Sequence, residues 1–260
     1  MKSGLQTRRS RQEVIQNELM WHEKEAHRRM PIDEFLYAPP AFEPVIDGGI
    51  AFLEAKPEQW LLEVGCGEGK ESVKFRGQGL KAVSIDLSHV QLQRAQELMQ
   101  EKFGDVAMFF VQANAEELPF ARGSFQAVYA KAVLHHLDLD IAYDEIERTL
   151  QEDGRISITE PLAHHPIIQF GRFVTPQLRT RDERPIPFDE FEQFAVRFSQ
   201  SEVDTFFLLA PLAYIFRVSP KGEKLFRKTH ALLQRTDAWL FRVFPFLRRF
   251  AWYSLIKAKI

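Results

Sequence analysis

Trp60-Leu61-Leu62-Glu63-Val64-Gly65-Cys66-Gly67-Glu68-Gly69 is a short apolar run that stops in three glycines set two residues apart. The run has the length and bounding residues of a buried strand. Glycines at its end let the backbone turn sharply and let a ligand approach the main chain without meeting a Cβ. In parallel α/β sheets such a loop, at the carboxyl edge, is where nucleotide ligands sit.

Working outward, short apolar runs alternate with helical stretches. Ala82 to Ile85 is a second strand, and Ser88 is an N-cap for a helix to about Phe103. Ala107 to Val111, Phe125 to Tyr129 and Arg155 to Thr159 are three more strands. A helix from about Ile141 to Gln151 precedes the last of these, with Gly154 as its stop. This alternation predicts an α/β fold, a parallel sheet with helices on both faces. Beyond Pro161, residues His164 to Pro187 read as an insertion over the carboxyl edge. Asp204 to Phe216 holds a sixth strand, and Ser219-Pro220 opens a long helix towards Phe244. Ala251 to Ile260 is a closing strand. Before the core, Gln12 to Met30 forms a helix broken by Met30-Pro31 and Tyr37-Ala38-Pro39-Pro40, and Phe42 to Ala55 forms another.

The 260 residues, 45% hydrophobic and 27% charged, suffice for one large domain with a sizeable core, and exclude disorder, collagen and repeat arrays. Cys66 is the single cysteine, which excludes an intrachain disulfide framework and a Cys-rich zinc module and predicts a reducing, cytoplasmic setting. Met1 to Arg11 has no apolar core, so no cleaved secretory signal is expected, and no apolar stretch is long enough to span a membrane. The net charge of −2 conceals an uneven distribution: residues 1–30 carry +3, residues 219–260 carry +8, and the body between carries −13. Basic ends of this kind are solvated helix faces, or they meet a membrane surface or an anionic partner.

A dinucleotide loop wants G-x-G-x-x-G, with a pyrophosphate at the following helix N-terminus. Here the spacing differs, and Glu63 and Glu68 in the loop disfavour phosphate while suiting an ammonium or sulfonium. Asp86 ends the second strand, where an acid can accept hydrogen bonds from ribose hydroxyls or cap the helix that Ser88 begins. Cys66 reads as a small residue between glycines, since a reactive thiol needs an electropositive setting.

With these residues in hand, the chain resembles the class I methyltransferases that use S-adenosylmethionine. The matching blocks are Leu61 to Gly69, Ser84 to Ser88, Gln112 to Phe120, Gly123 to Val128, Val133 to Leu137 and Glu145 to Leu150, followed by Gly154 and Glu160-Pro161. They cover about residues 60 to 161 in the family's order. The resemblance implies a doubly wound, mainly parallel, seven-stranded Rossmann-like sheet. It divides the chain into a helical cap (1–56), a cofactor-binding core (57–161) and a cap or insertion with the last strands and long helix (162–260). It implies that Glu63 and the backbone of Gly65, Cys66, Gly67 and Gly69 hold the methionine portion, and that Asp86 holds the ribose. Leu87 would pack on the adenine, the turn Asn114-Ala115-Glu116 would meet its amine, and Lys131 would lend backbone near the methionine end. Two departures stand out: Asn114 where the family often has Asp, and Gln126 where Asp is common. An amide still accepts through its carbonyl, and Gln126 reads as structural.

Methyl transfer from a sulfonium is an in-line displacement, and proximity can supply about 7–11 kcal/mol of its acceleration. A base helps when the acceptor is a hydroxyl. His135 and His136 follow the fourth strand and are the candidates for it, with helix-capping or packing as the alternative. Tyr37, His136, Glu160, His164 and Arg172 are the candidates for acceptor contact. Neighbouring histidines give poor convergent geometry, so no metal is expected. Fourteen of the 23 phenylalanines lie after residue 160, which suits a small hydrophobic acceptor or simply an aromatic core. Phe241 to Arg249 is basic and apolar together, a pattern of interfacial membrane binding that Pro245 interrupts. Two other functions stay in play: a catalytically silent cofactor-binding partner subunit, and a nucleotide-dependent oxidoreductase. A nucleic-acid substrate is not expected, because no Asn-Pro-Pro-aromatic motif or RNA-binding appendage is present.

Overall fold

A computed structural model describes residues 11–26, 39–175, 184–218 and 222–260. In chain order the elements are α1 (Arg11–Ala26), α2 (Pro39–Phe52), β1 (Trp60–Val64), α3 (Lys70–Gly77), β2 (Lys81–Asp86), α4 (His89–Phe103), β3 (Phe109–Gln112) and β4 (Phe125–Lys131). They continue as α5 (Leu139–Thr149), β5 (Leu150–Pro161), α6 (Pro166–Val174), α7 (Phe188–Ala195), β6 (Gln200–Phe206), α8 (Glu223–Val243) and β7 (Tyr253–Lys259). Among the described residues, 3₁₀ turns lie at Leu134–His136, Ala210–Val218 and Pro245–Phe250.

The seven strands form one sheet in the order β3-β2-β1-β4-β5-β7-β6. β1 to β5 pair in parallel, and β7 enters antiparallel between β5 and β6. The strand order reverses between β1 and β4, which makes their carboxyl ends the crevice where ligands bind in open α/β sheets.

The lack of polar alternation in the strands follows from burial on both faces. Leu62, Val128, Ile156 and Ile256 face a core closed by Ile146 of α5 and Phe191 of α7. Leu61, Ala127, Tyr129 and Leu255 face the other, closed by Phe42 of α2, Phe75 of α3 and Phe226 of α8. Much of the late phenylalanine content is this core: Phe191, Phe194, Phe198, Phe207, Phe226 and Phe241 are buried.

Several expected boundaries move. α2 begins three residues before Phe42, because prolines are tolerated in a first helical turn. The sixth strand is Gln200–Phe206, and most of the apolar run after it is a 3₁₀ turn; an edge strand needs no continuous apolar sequence. Gly154 does not stop a helix. α5 ends at Thr149, and Gly154 lies within β5, where a Cβ would stand 2.7 Å from the Gln151 carbonyl oxygen. The long helix begins at Glu223, and Pro220 lies outside the described residues, as do His27 to Met30. Gln126 is structural, its Oε1 accepting from Trp60 N at 2.8 Å.

Candidate active site

The glycine loop leaves β1 in three left-handed steps, with φ of +70° at Gly65, +50° at Gly67 and +77° at Gly69. A Cβ on Gly65 would lie 2.6 Å from Val133 Cγ2, and one on Gly69 would lie 2.8 Å from Ala95 Cβ. Those two glycines answer to the protein's own packing. A Cβ on Gly67 would meet nothing within 4 Å, so Gly67 faces open space. Asp86, half-buried at the end of β2, accepts from Gly67 N at 2.8 Å and from Ser88 N at 2.9 Å. It therefore ties the loop to the start of α4. Glu68 pairs with Arg94 at 2.7 Å, which offsets the repulsion of phosphate expected from that acid.

Glu63 lies beneath the loop, almost wholly buried, and accepts from Ser72 Oγ at 2.5 Å and Ser84 Oγ at 2.6 Å. Burial pushes its carboxyl up to about 8; the two hydroxyls pull it down in part, and the neighbouring Glu71 pushes it up again. Lys131 pairs with buried Glu71 across the end of β4. In the unfolded chain the Glu63 carboxyl ionises near 4.5. Between that value and about 8 the folded chain holds the extra proton, so this group makes stability fall as pH rises through that window. A Glu63→Gln chain lacks that slope. Urea unfolding across this window should show Glu63→Gln gaining stability relative to the parent as pH rises, and a pH-independent difference would refute the assignment.

At the carboxyl ends of β4 and β5, Glu160 is fully buried. One oxygen accepts from Val133 N and Leu134 N, each at 2.7 Å, and the other meets His135 Nδ1 at 2.7 Å. The His135 and His136 rings lie 4.1 Å apart, and His136 Nδ1 is 2.9 Å from buried Glu18 of α1. Arg11, also on α1, forms a forked pair with Glu116 and donates to the His136 carbonyl at 3.1 Å. Helix α1 is thus pinned to the turn after β3 and to the histidine turn after β4.

The other expected residues fall as follows. Asn114 Oδ1 accepts from Glu116 N at 3.0 Å and shapes its own turn. Glu116 is spent on Arg11 and on Asp138 N, and the Leu87 carbonyl accepts from Gln112 Nε2 at 3.0 Å. Ala115 packs against the core. Burial, with the nearby Glu63 and Asp86 charges, pushes the buried Cys66 thiol up, away from nucleophilic use. Glu160, expected to touch the acceptor, has no exposed surface and acts on His135 instead. His164 is exposed, Arg172 is half-buried on α6, and Tyr37 lies outside the described residues.

Residues 62–158 match the family described as a methyltransferase domain. Residues 62–158 are thus a methyltransferase domain. Its sequence is 27% identical over 152 residues to the uncharacterized methyltransferase YcgJ of Bacillus subtilis (strain 168), covering 58% of this chain and 59% of that protein. It is 35% identical over 114 residues to the O-methyltransferase resE of Aspergillus sclerotiorum, covering 42% of each. The chain thus spans only about half the length of these relatives. In structure it resembles the geranyl diphosphate C-methyltransferase of Streptomyces coelicolor A3(2), solved with Mg2+, geranyl diphosphate and S-adenosyl-L-homocysteine. The TM-score is 0.59 at 18% identity, covering 84% of this chain and 78% of that one, a likeness of fold.

Five residues around the methyltransferase domain's site were missed in the sequence: Arg11, Glu18, Glu71, Ser72 and Ser84. Ser72 follows Glu63 by nine residues on the helix the loop opens, a local signal that was available. Arg11 meets Glu116 across 105 residues, and no local pattern announces it.

Proposed function

We propose that this chain is an S-adenosylmethionine-dependent methyltransferase that methylates a hydroxyl of a small hydrophobic acceptor, with His135 as the base. The observation that carries this reading is the buried His135–Glu160 pair at the carboxyl edge of the sheet. The likeness to an O-methyltransferase supports an oxygen acceptor. Residues at the loop fit the cofactor, since Gly67 faces open space that a larger residue would fill. In this reading the loop backbone, with Glu63 beneath it, holds the methionine portion, Asp86 the ribose, and Leu87 with the 114–116 turn the adenine. Lys131 contributes backbone and holds Glu71.

Bound there, S-adenosylmethionine supplies an electrophilic methyl group on a sulfonium. The chain's own part is alignment and proton removal. Glu160 orients the His135 ring through Nδ1, which places the proton on that nitrogen and makes Nε2 the basic atom. As the acceptor hydroxyl gives up its proton to Nε2, the buried Glu160 carboxylate stabilises the imidazolium. In this reading α1, held to the His136 turn by Arg11 and Glu18, bounds the acceptor on one side.

Calorimetric titration with S-adenosylhomocysteine, alongside NAD and an Asp86→Ala variant, tests the cofactor. The expected result is micromolar binding of S-adenosylhomocysteine, at least about tenfold weaker in the variant, as loss of one charged hydrogen-bond acceptor implies. Binding of NAD in its place would overturn the reading in favour of an oxidoreductase. Binding without turnover on any hydrophobic alcohol or phenol would favour a silent cofactor-binding subunit.

A further inference from the structure

Helix α8 buries Phe226, His230, Asp237 and Phe241 along one face. Leu225, Leu232 and Trp239 recur every seven residues on the outer side, and Val243 continues their line. At 100° per residue this stripe stands about 145° from the buried face. These four side chains are 46% to 64% exposed. Lys224, Lys228, Arg235 and Arg242 form a second exposed stripe directly beside the first. Among the described residues no acid pairs with any of the four, whereas Arg227 is satisfied by Glu223. Phe244 and Phe246, both exposed, extend the apolar line past the helix end.

We propose that this face of α8 lies on an anionic membrane surface. Unpaired cations beside an apolar stripe, not within it, allow leucine and tryptophan to enter the acyl boundary while the lysine and arginine heads remain among lipid phosphates. A second copy of this chain, docked face to face, would bring two such cation rows together. None of the described helices is long and apolar enough to cross a membrane, so the contact is one of lying on the surface. α6 is tied, through the 208–210 turn, to the inner face of α8. The His165 ring at its start bonds to the Leu208 carbonyl at 3.0 Å, and Asp237 of α8 accepts from the amides of Leu208, Leu209 and Ala210. α6 itself exposes Ile167, Phe170, Phe173 and Val174.

Co-sedimentation of the full chain with phosphatidylcholine vesicles, with and without phosphatidylglycerol, tests the proposal. Binding is expected only with phosphatidylglycerol, and is expected to fall in high salt. It should weaken at least about tenfold in Leu232→Ser/Trp239→Ser and in Lys228→Glu/Arg235→Glu, the latter because the basic row supplies the attraction to anionic headgroups. Both variants change exposed side chains, so their melting temperatures should match the parent's. Three results would overturn the proposal: no binding by folded protein, binding that both variants retain, or a solution dimer that Trp239→Ser dissociates.

Discussion

His135→Gln is expected to lower kcat about 10²–10⁴-fold on a hydroxyl acceptor, the usual contribution of a positioned base. Affinity for S-adenosylhomocysteine should not change, because the glycine loop and Asp86 do not involve this ring. Glu160→Gln keeps the shape of the buried side chain but removes the charge that faces His135 Nδ1. It should reduce kcat more than it alters KM, and move the alkaline-rising limb of the pH–rate profile. Rate measurement across pH with both variants checks the assignment. A His135→Gln enzyme with the parent's rate would mean that the acceptor arrives already ionised, or that the methyl goes to an atom with no proton to lose.

Two single-methyl substitutions in the loop should part company. Gly65→Ala must hold alanine at φ +70° with its Cβ 2.6 and 2.8 Å from the stiff Val133 side chain. The left-handed conformation and the overpacking together should destabilise the protein by about 2–5 kcal/mol, a large share of a typical domain's stability. Gly67→Ala meets no neighbour and should lose only about 1 kcal/mol to its backbone. Yet its methyl occupies the space that the proposed cofactor needs, so cofactor affinity should fall in a protein that still folds. Thermal melts with calorimetry separate the two effects. Equal stability losses at both positions would mean that the loop's open side is not open in solution.

Strands β1, β2 and β4 could be read from sequence because their central residues are buried, leaving short, mainly apolar runs between turn residues. β6 defeated that signal. It opens with Gln200, Ser201 and Glu202, all exposed, and the apolar residues that follow it belong to a turn. The site divides along similar lines. The loop and Asp86 are local features and were legible. The partners that govern their chemistry are contacts across the fold: Ser84 under Glu63, Arg94 on Glu68, and Glu160 behind His135. Electrostatics inferred from Glu63 and Glu68 alone treated both as bare charges. Burial raises the first and an arginine neutralises the second.

The placement of β7 bears on the order in which the protein takes shape during synthesis. β5 ends at Pro161 and β6 at Phe206, but neither can pair on its facing edge until residues 253–259 leave the ribosome. Leu255 and Ile256, almost wholly buried in the finished sheet, then enter between two strands made much earlier. Until that moment the nascent chain presents a bare strand edge bordered by apolar side chains, a surface that invites pairing with a neighbouring polypeptide. Yield of folded protein should therefore depend on how quickly translation passes from β6 to β7, and on chaperones that shield that edge meanwhile.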